Sequence, residues 1–240
     1  MLKGKIVVIT GASSGIGEAL AYRVARAGGI PVLGARRYAR LEAVASRIRG
    51  DGGAATVVEC DVSVRAGAEA LIDTAVHQHG TIDVLVNNAG RGNFASVEDT
   101  TDEMLQNIFA VNVFALWFTT RPALRLMRQR GSGHIITVSS MAGKLGFPFN
   151  SAYVAAKHAA VGFTHALRAE LVETGIHASV VCPGGANTAF ASVTEGGPLQ
   201  ELFAAAGPAI RRFAEERDLP LTPVEGVLPA DDVAAKIVQC

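Results

Sequence analysis

The sequence predicts an α/β fold: one doubly wound parallel sheet with helices on both faces. Three observations predict it. Short β-branched runs alternate with longer stretches of helical composition along most of the 240 residues. Most of these runs are near-continuously apolar, as strands covered on both faces should be. The first run ends in a glycine-rich turn that opens a helix. Strict β-α alternation gives parallel strands, and right-handed crossovers place helices on both sides of the sheet.

In chain order, strands are expected over Lys5–Thr10, Ile30–Ala35, Ala54–Cys60, Ile82–Asn87, His134–Ser139 and Ile176–Cys182. Helical composition fills Gly15–Ala27, Tyr38–Arg49, Ala66–His79, Thr101–Arg130 and Ser151–Thr174. Thr100 and Glu103 have capping-box spacing at the start of the fourth helix. Pro122 is expected to kink or split that helix, since proline lacks the amide donor and clashes with the preceding turn. No linker or repeat interrupts the pattern, so residues 1–240 read as a single domain. From 183 to 229 the periodicity dissolves into Gly, Pro and short amphipathic pieces such as Ala209–Glu216. A long irregular segment of this kind is expected to form a lid over the substrate. A helix starts near Ala230 and the sequence reaches Cys240 inside it, so a closing strand is expected beyond and the C-terminus reads as truncated.

Composition narrows the function. The chain is 49% hydrophobic and 18% charged, enough to bury a large core, and its 22 basic and 22 acidic residues cancel. That neutrality excludes the basic excess of nucleic-acid and membrane-surface binders. Phe109–Phe118, the most apolar stretch, is broken by Asn112 and too short to span a bilayer. Cys60, Cys182 and Cys240 are odd in number, distant and without a CxxC, which points to a reducing cytoplasm. The six histidines fit no zinc spacing, and Ser139-Ser140 lies outside any GxSxG elbow.

Thr10-Gly-Ala-Ser-Ser-Gly-Ile-Gly17 lies between the first strand and first helix. Unpaired amides at a helix N-terminus, with glycines that permit close approach, suit a pyrophosphate. The loop lacks the Lys-Ser/Thr of a P-loop, which argues against nucleotide hydrolysis. At the end of the second strand an acid would bind a ribose 2′-hydroxyl, whereas arginine would accept a 2′-phosphate. The sequence there is Ala35-Arg36-Arg37. Cations are disfavoured at a helix N-terminus, so the pair predicts NADPH over NADH.

Tyr153 and Lys157 are four apart at the start of the fifth helix and share a face. Charges about 5 Å apart at an effective dielectric near 20 interact by about 3 kcal/mol. That would lower a phenol pKa by about 2 units, toward a useful general acid/base.

Together these residues resemble one family. Thr10–Gly17 (TGxxxGxG), Asn87-Asn-Ala-Gly90, Asn112, Ser140 thirteen residues before Tyr153, Lys157 and Pro183-Gly184 occur in the order of the short-chain dehydrogenase/reductases. The resemblance covers residues 3–190 and implies a Rossmann-type fold and an NADP-dependent oxidoreductase. By position it implies Tyr153 as the acid/base, Lys157 as the residue that lowers its pKa and holds the nicotinamide ribose, and Ser140 on the substrate oxygen. Ser139 is the weaker match by spacing. Asn112 would interrupt its helix to hold a relay water.

Cofactor contacts are implied for Gly11, Ser13, Ser14, Gly15, Ile16 and Gly17 around the pyrophosphate. Arg36 and Arg37 would take the 2′-phosphate, Asp61 and Val62 the adenine, and Asn88, Ala89 and Gly90 the adenosine ribose. Pro183, Gly184 and Thr188 would face the nicotinamide, with Ala186 smaller than the usual Val or Ile. The implied substrate is a small carbonyl or alcohol. Phe94, Met141, Leu145, Phe147, Phe149 and Phe190 suggest that it is apolar, while Arg91 and Lys144 are the polar exceptions. A 3-oxoacyl carrier-protein substrate is an alternative invited by Arg121, Arg125 and Arg128 on one helical face, and a non-catalytic NADPH sensor is a third reading. The family also implies a homodimer or homotetramer built on the Thr101–Arg130 and Ser151–Thr174 helices.

Overall fold

Five consecutive buried residues, Ile6-Val-Val-Ile-Thr10, form β1 at the centre of the sheet. In the computed structural model, residues 2–184, 186–187, 194–196, 212, 216 and 228–240 are described. The remaining large strands are β2 (Ile30–Ala35), β3 (Thr56–Glu59), β4 (Val84–Asn87), β6 (Gly133–Val138) and β7 (Ile176–Val181). Their order is β3-β2-β1-β4-β6-β7 and every pairing is parallel. The order reverses between β1 and β4, which opens a crevice beyond their C-terminal ends, where such sheets bind ligands.

Two apolar cores flank the sheet. One packs α1 (Gly15–Arg26), α2 (Tyr38–Gly50) and α7 (Ala230–Gln239) on one face through Leu20, Val24, Leu41, Ile48, Val233 and Ile237. The other packs α3 (Arg65–His79), α5 (Ala115–Arg130) and α6 (Ser151–Glu170) through Leu71, Ile72, Met127 and Leu167. The alternation read in the sequence is thus the observed architecture, with strand ends shifted by no more than two residues.

The fourth helix differs from expectation in two ways. Its N-cap is Thr101, whose hydroxyl accepts from the Met104 amide at 3.2 Å, whereas the Thr100 hydroxyl donates to the Ser96 carbonyl. The helix also runs unbroken past Pro122. Its ladder changes instead at Ala110–Phe114, a π-helical segment between α4 (Asp102–Phe109) and α5. Asn112 lies within that segment, and its Nδ2 donates to the Ile108 carbonyl at 3.0 Å. The inserted residue frees a carbonyl that a side chain then satisfies, as π-bulges at functional sites often require.

Short pairings unseen in the sequence frame the crevice. β5 (Gly92–Phe94) pairs with β9 (Thr194–Gly196), and β8 (Ala186–Asn187) with β10 (Leu228–Pro229). Two or three residues are too few for a period to register in the sequence. Thr188, Phe190, most of the expected 183–229 lid and all of Ala209–Glu216 except Arg212 and Glu216 lie outside the described residues.

Candidate active site

Buried polar groups need partners, and Thr10 at the end of β1 organises the glycine loop for this reason. Its hydroxyl oxygen accepts from the Asn88 and Ala89 amides, both at 2.9 Å. Asn88 Nδ2 in turn donates to the Thr10 carbonyl at 2.8 Å. Asn87 is tied to α5, with Oδ1 accepting from Thr119 at 2.7 Å and Nδ2 donating to Thr120 at 3.2 Å. The first Asn therefore anchors β4, and the second locks its end to the loop. A Cβ on Gly17 would lie 2.5 Å from the Gly11 carbonyl oxygen and 2.6 Å from Asn88 Nδ2, so only glycine fits. Gly15 and Ile16 form the first turn of α1, whose N-cap Ser14 makes no side-chain cap. The first amides of α1 thus keep donors that an anion could use.

Ser13 and Ser14 face the end of β2 instead. Arg37 Nη2 donates to Ser14 Oγ at 2.7 Å and to Ser13 Oγ at 2.9 Å, which joins the glycine loop to the start of α2. Burial, then the charges of Arg40 and Arg36, lower the Arg37 pKa. Arg36, exposed like Arg37, diverges in direction: its Nη1 lies 3.9 Å from Asp61 Oδ2. Asp61 also accepts from the Ser63 amide and hydroxyl, at 2.9 and 2.6 Å. The Val62 side chain is buried in the core.

Across the switch point, the ends of β4 and β6 meet the first turns of α6. Lys157 is 5% exposed and its Nζ donates to the Val138 carbonyl at 3.1 Å. Burial depresses its pKa to about 8. The ammonium lies 5.6 Å from the Tyr153 ring centre. Tyr153 is hydrogen-bonded to Ser140, which lowers the phenol pKa, but burial is the larger effect and the net direction is upward. The expected lowering by Lys157 is therefore corrected: desolvation disfavours both the phenolate and the ammonium that was to stabilise it. Ser139 is spent elsewhere, donating to the Lys157 carbonyl at 3.0 Å. Asn112 Nδ2 holds the Arg91 carbonyl at 3.0 Å, while its buried Oδ1 has no partner among the described residues. A Cβ on Gly90 would stand 2.9 Å from that Oδ1 and 3.4 Å from Lys157 Nζ. The bare Gly90 α-carbon thus leaves a polar cradle between Asn112 and Lys157.

The profile of the short chain dehydrogenase family matches residues 5–196. This chain belongs to that family. Among relatives of the dehydrogenase, a protein assigned as a ketoacyl reductase of monensin polyketide synthase in Streptomyces virginiae is 41% identical over 189 residues, covering 78% of this chain and 72% of its own. A short-chain dehydrogenase/reductase from Burkholderia phymatum, solved with NAD, superimposes with a TM-score of 0.85 at 30% identity, covering 99% of this chain and 85% of that one. The actinorhodin polyketide ketoreductase, solved as a Phe-to-Trp variant with NADPH, gives 0.85 at 31% identity, covering 98% and 89%. The dehydrogenase is accordingly an oxidoreductase acting on CH–OH groups.

The residues present in this dehydrogenase fit a nicotinamide dinucleotide: a glycine cradle, uncapped helix amides and an unpaired amide oxygen line one crevice. Pro183 sits at its far side, its carbonyl accepting from the Met141 amide at 2.8 Å, and Gly184 follows with open space around its α-carbon. The motif reading named Thr10 and both arginines but not what divides their roles: no local signal shows that the Thr10 hydroxyl accepts from the Asn88 and Ala89 amides, or distinguishes Arg37 from Arg36.

Proposed function

We propose that the protein interconverts a carbonyl and a secondary alcohol using NADP(H), with Tyr153 as acid/base. One observation carries this reading: the Ser140–Tyr153 pair and the Asn112–Lys157 cradle converge where β4 and β6 end. A pure dinucleotide sensor needs no such convergence. A nicotinamide cofactor supplies or accepts the hydride when bound. Ser140 orients the substrate oxygen, and Tyr153 delivers a proton to it from Oη. A phenol with a raised pKa holds its proton at neutral pH, the state required of the acid in reduction. Lys157 and Asn112 could then resupply that proton through the cradle between them. A ketoacyl thioester on a carrier protein is the second reading, favoured by the relative assigned as a ketoacyl reductase. NADPH oxidation across ketones, aldehydes and ketoacyl thioesters tests both, and cofactor binding without turnover on any of them would favour the sensor.

The preference for NADP rests on Arg37 rather than on the arginine pair. Arg37 is held over the loop serines, whereas Arg36 is drawn toward Asp61. Charge-assisted hydrogen bonds contribute about 1.5–3 kcal/mol. Arg37→Ala is therefore expected to weaken NADPH about 10- to 100-fold and NADH less than about 3-fold, with Arg36→Ala the milder change. Equal losses for the two cofactors by fluorescence titration would show that Arg37 does not read the 2′-phosphate. The three free cysteines suit a cytoplasmic setting.

The α4–α5 rod also supports a homodimer. Leu105, Phe114 and Trp117 remain 42, 50 and 37% exposed. Asp102 and Glu103 begin the rod, and exposed Arg121, Arg125 and Arg128 lie toward its other end. Antiparallel pairing of two copies would set each acidic end against the partner's arginines around an aromatic centre, a self-complementary two-fold contact. Light scattering should give at least twice the 24.9 kDa chain mass; a monomer rejects the interface.

A further inference from the structure

Ser139 is 5% exposed and stands beside Ser140, yet the chemistry proposed for Tyr153 leaves it without a task. Three elements meet on it. Its amide, just after β6, donates to the Val181 carbonyl of β7 at 2.8 Å. Its hydroxyl donates to the Lys157 carbonyl of α6 at 3.0 Å. The short turn Met141–Gly143 lies over that contact: a Cβ on Gly143 would stand 2.6 Å from Ser139 Oγ and 2.7 Å from the Lys157 carbonyl oxygen.

The place of this bond matters more than its strength. A carbonyl oxygen has two lone pairs, so Lys157 can keep its helical bond and accept a second donor from outside. Lys157 lies one turn after Tyr153, and its ammonium is tied to the same strand end, donating to the Val138 carbonyl at 3.1 Å. Two consecutive residues, Val138 and Ser139, thus hold one lysine by its head and by its backbone. The buried side of α6 offers little else to fix it. Ala152, Ala156 and Ala160 are buried there, and side chains this small form low ridges that set the register of a helix weakly.

Ser140 is oriented separately, its hydroxyl accepting from the Ala142 amide at 3.1 Å. Ser140 and the Tyr153–Lys157 pair therefore belong to different elements, which touch at Ser139. We propose that Ser139 is a positioning residue: its bond to the Lys157 carbonyl sets the rotation and register of α6, so that Tyr153 meets Ser140 and the Lys157 ammonium meets Gly90 and Asn112. The inference deepens the carbonyl-reduction reading of Tyr153 and rests on it.

Ser139→Ala removes the donor and leaves the Lys157 carbonyl its helical bond. In hydrogen exchange read by mass spectrometry, residues 153–161 should exchange about 3- to 10-fold faster than in wild type, the equivalent of one lost hydrogen bond, while α3 stays within about 2-fold. On the best substrate of a carbonyl panel, kcat should fall about 10- to 100-fold with both KM values within about 5-fold, because small misplacements of reacting groups are costly. In a Tyr153→Phe background the same substitution should cost less than about 3-fold, since no alignment is left to lose. If Ser139→Ala does not fold, Ser139→Cys, which keeps the volume and donates weakly, carries the same comparisons. Uniformly faster exchange, or a kcat near that of wild type, would make Ser139 an ordinary core residue and overturn the proposal. So would a full penalty retained beside Tyr153→Phe. A wild type that reduces no carbonyl would sink the reading of Tyr153 instead. Exchange would then decide alone: faster exchange confined to 153–161 keeps the joint, and a uniform change removes it.

Discussion

Tyr153→Phe is expected to lower kcat by about 10²- to 10⁴-fold, the range that a positioned acid/base contributes. NADPH affinity should stay within about 3-fold, because the ring and its packing remain and only the hydroxyl is lost. The reason is geometric. Ser140 is the phenol's hydrogen-bonding neighbour, and Ser139 cannot take its place because its hydroxyl is committed to the Lys157 carbonyl. Stopped-flow oxidation of NADPH with the best substrate of a carbonyl panel, together with cofactor titration, gives both quantities. Retained turnover would remove Tyr153 from the chemistry. A large loss of cofactor affinity would make it a binding residue instead.

The second large effect is on stability and comes from Lys157. Its ordinary pKa is 10.5 and burial depresses it to about 8. Below about 8 both folded and unfolded chains hold the proton, and the fold bears the full cost of a buried ammonium, about 3 kcal/mol. Between about 8 and 10.5 the unfolded chain binds the proton and the folded chain does not. Unfolding free energy from this group therefore rises with pH across that window. Cys60, whose pKa burial raises to about 11, acts in the opposite direction at higher pH. Comparison with Lys157→Met cancels that contribution. The variant should be more stable than wild type at pH 7 by up to about 3 kcal/mol, and wild type should recover about 2 kcal/mol of the gap by pH 9.5. Urea unfolding at the two pH values checks this, and parallel pH profiles would show that the folded site carries no such penalty. Activity should fall in the same variant, so function here is kept at the expense of stability.

Much of the site was legible because its signals are local. Gly17 is demanded first by the Gly11 carbonyl within its own β-α turn, and Tyr153 and Lys157 share a face because the helical repeat puts them there. Asn112 and the interruption of its helix were implied by resemblance, but the π geometry of that interruption was not. An inserted residue in a helix leaves no change in hydrophobic period over five residues. Thr100 misled, and Pro122 does not split its helix, for a related reason: both are propensities of short windows, and tertiary context chose Thr101 as the cap and carried the helix past the proline.

The sequence by itself determined the parallel sheet, the glycine loop at its switch point and the identity of the catalytic candidates. Periodicity, strand patterning and turn glycines act over a few residues and survive without knowledge of the fold. The tertiary structure decided which arginine faces the loop serines and where the Asn88 side chain is spent. It also reversed the expected direction of the Tyr153 pKa. Each of these depends on burial and on distances between residues far apart in the chain. The strength of an electrostatic interaction is set by the solvent removed around it, which no local pattern records.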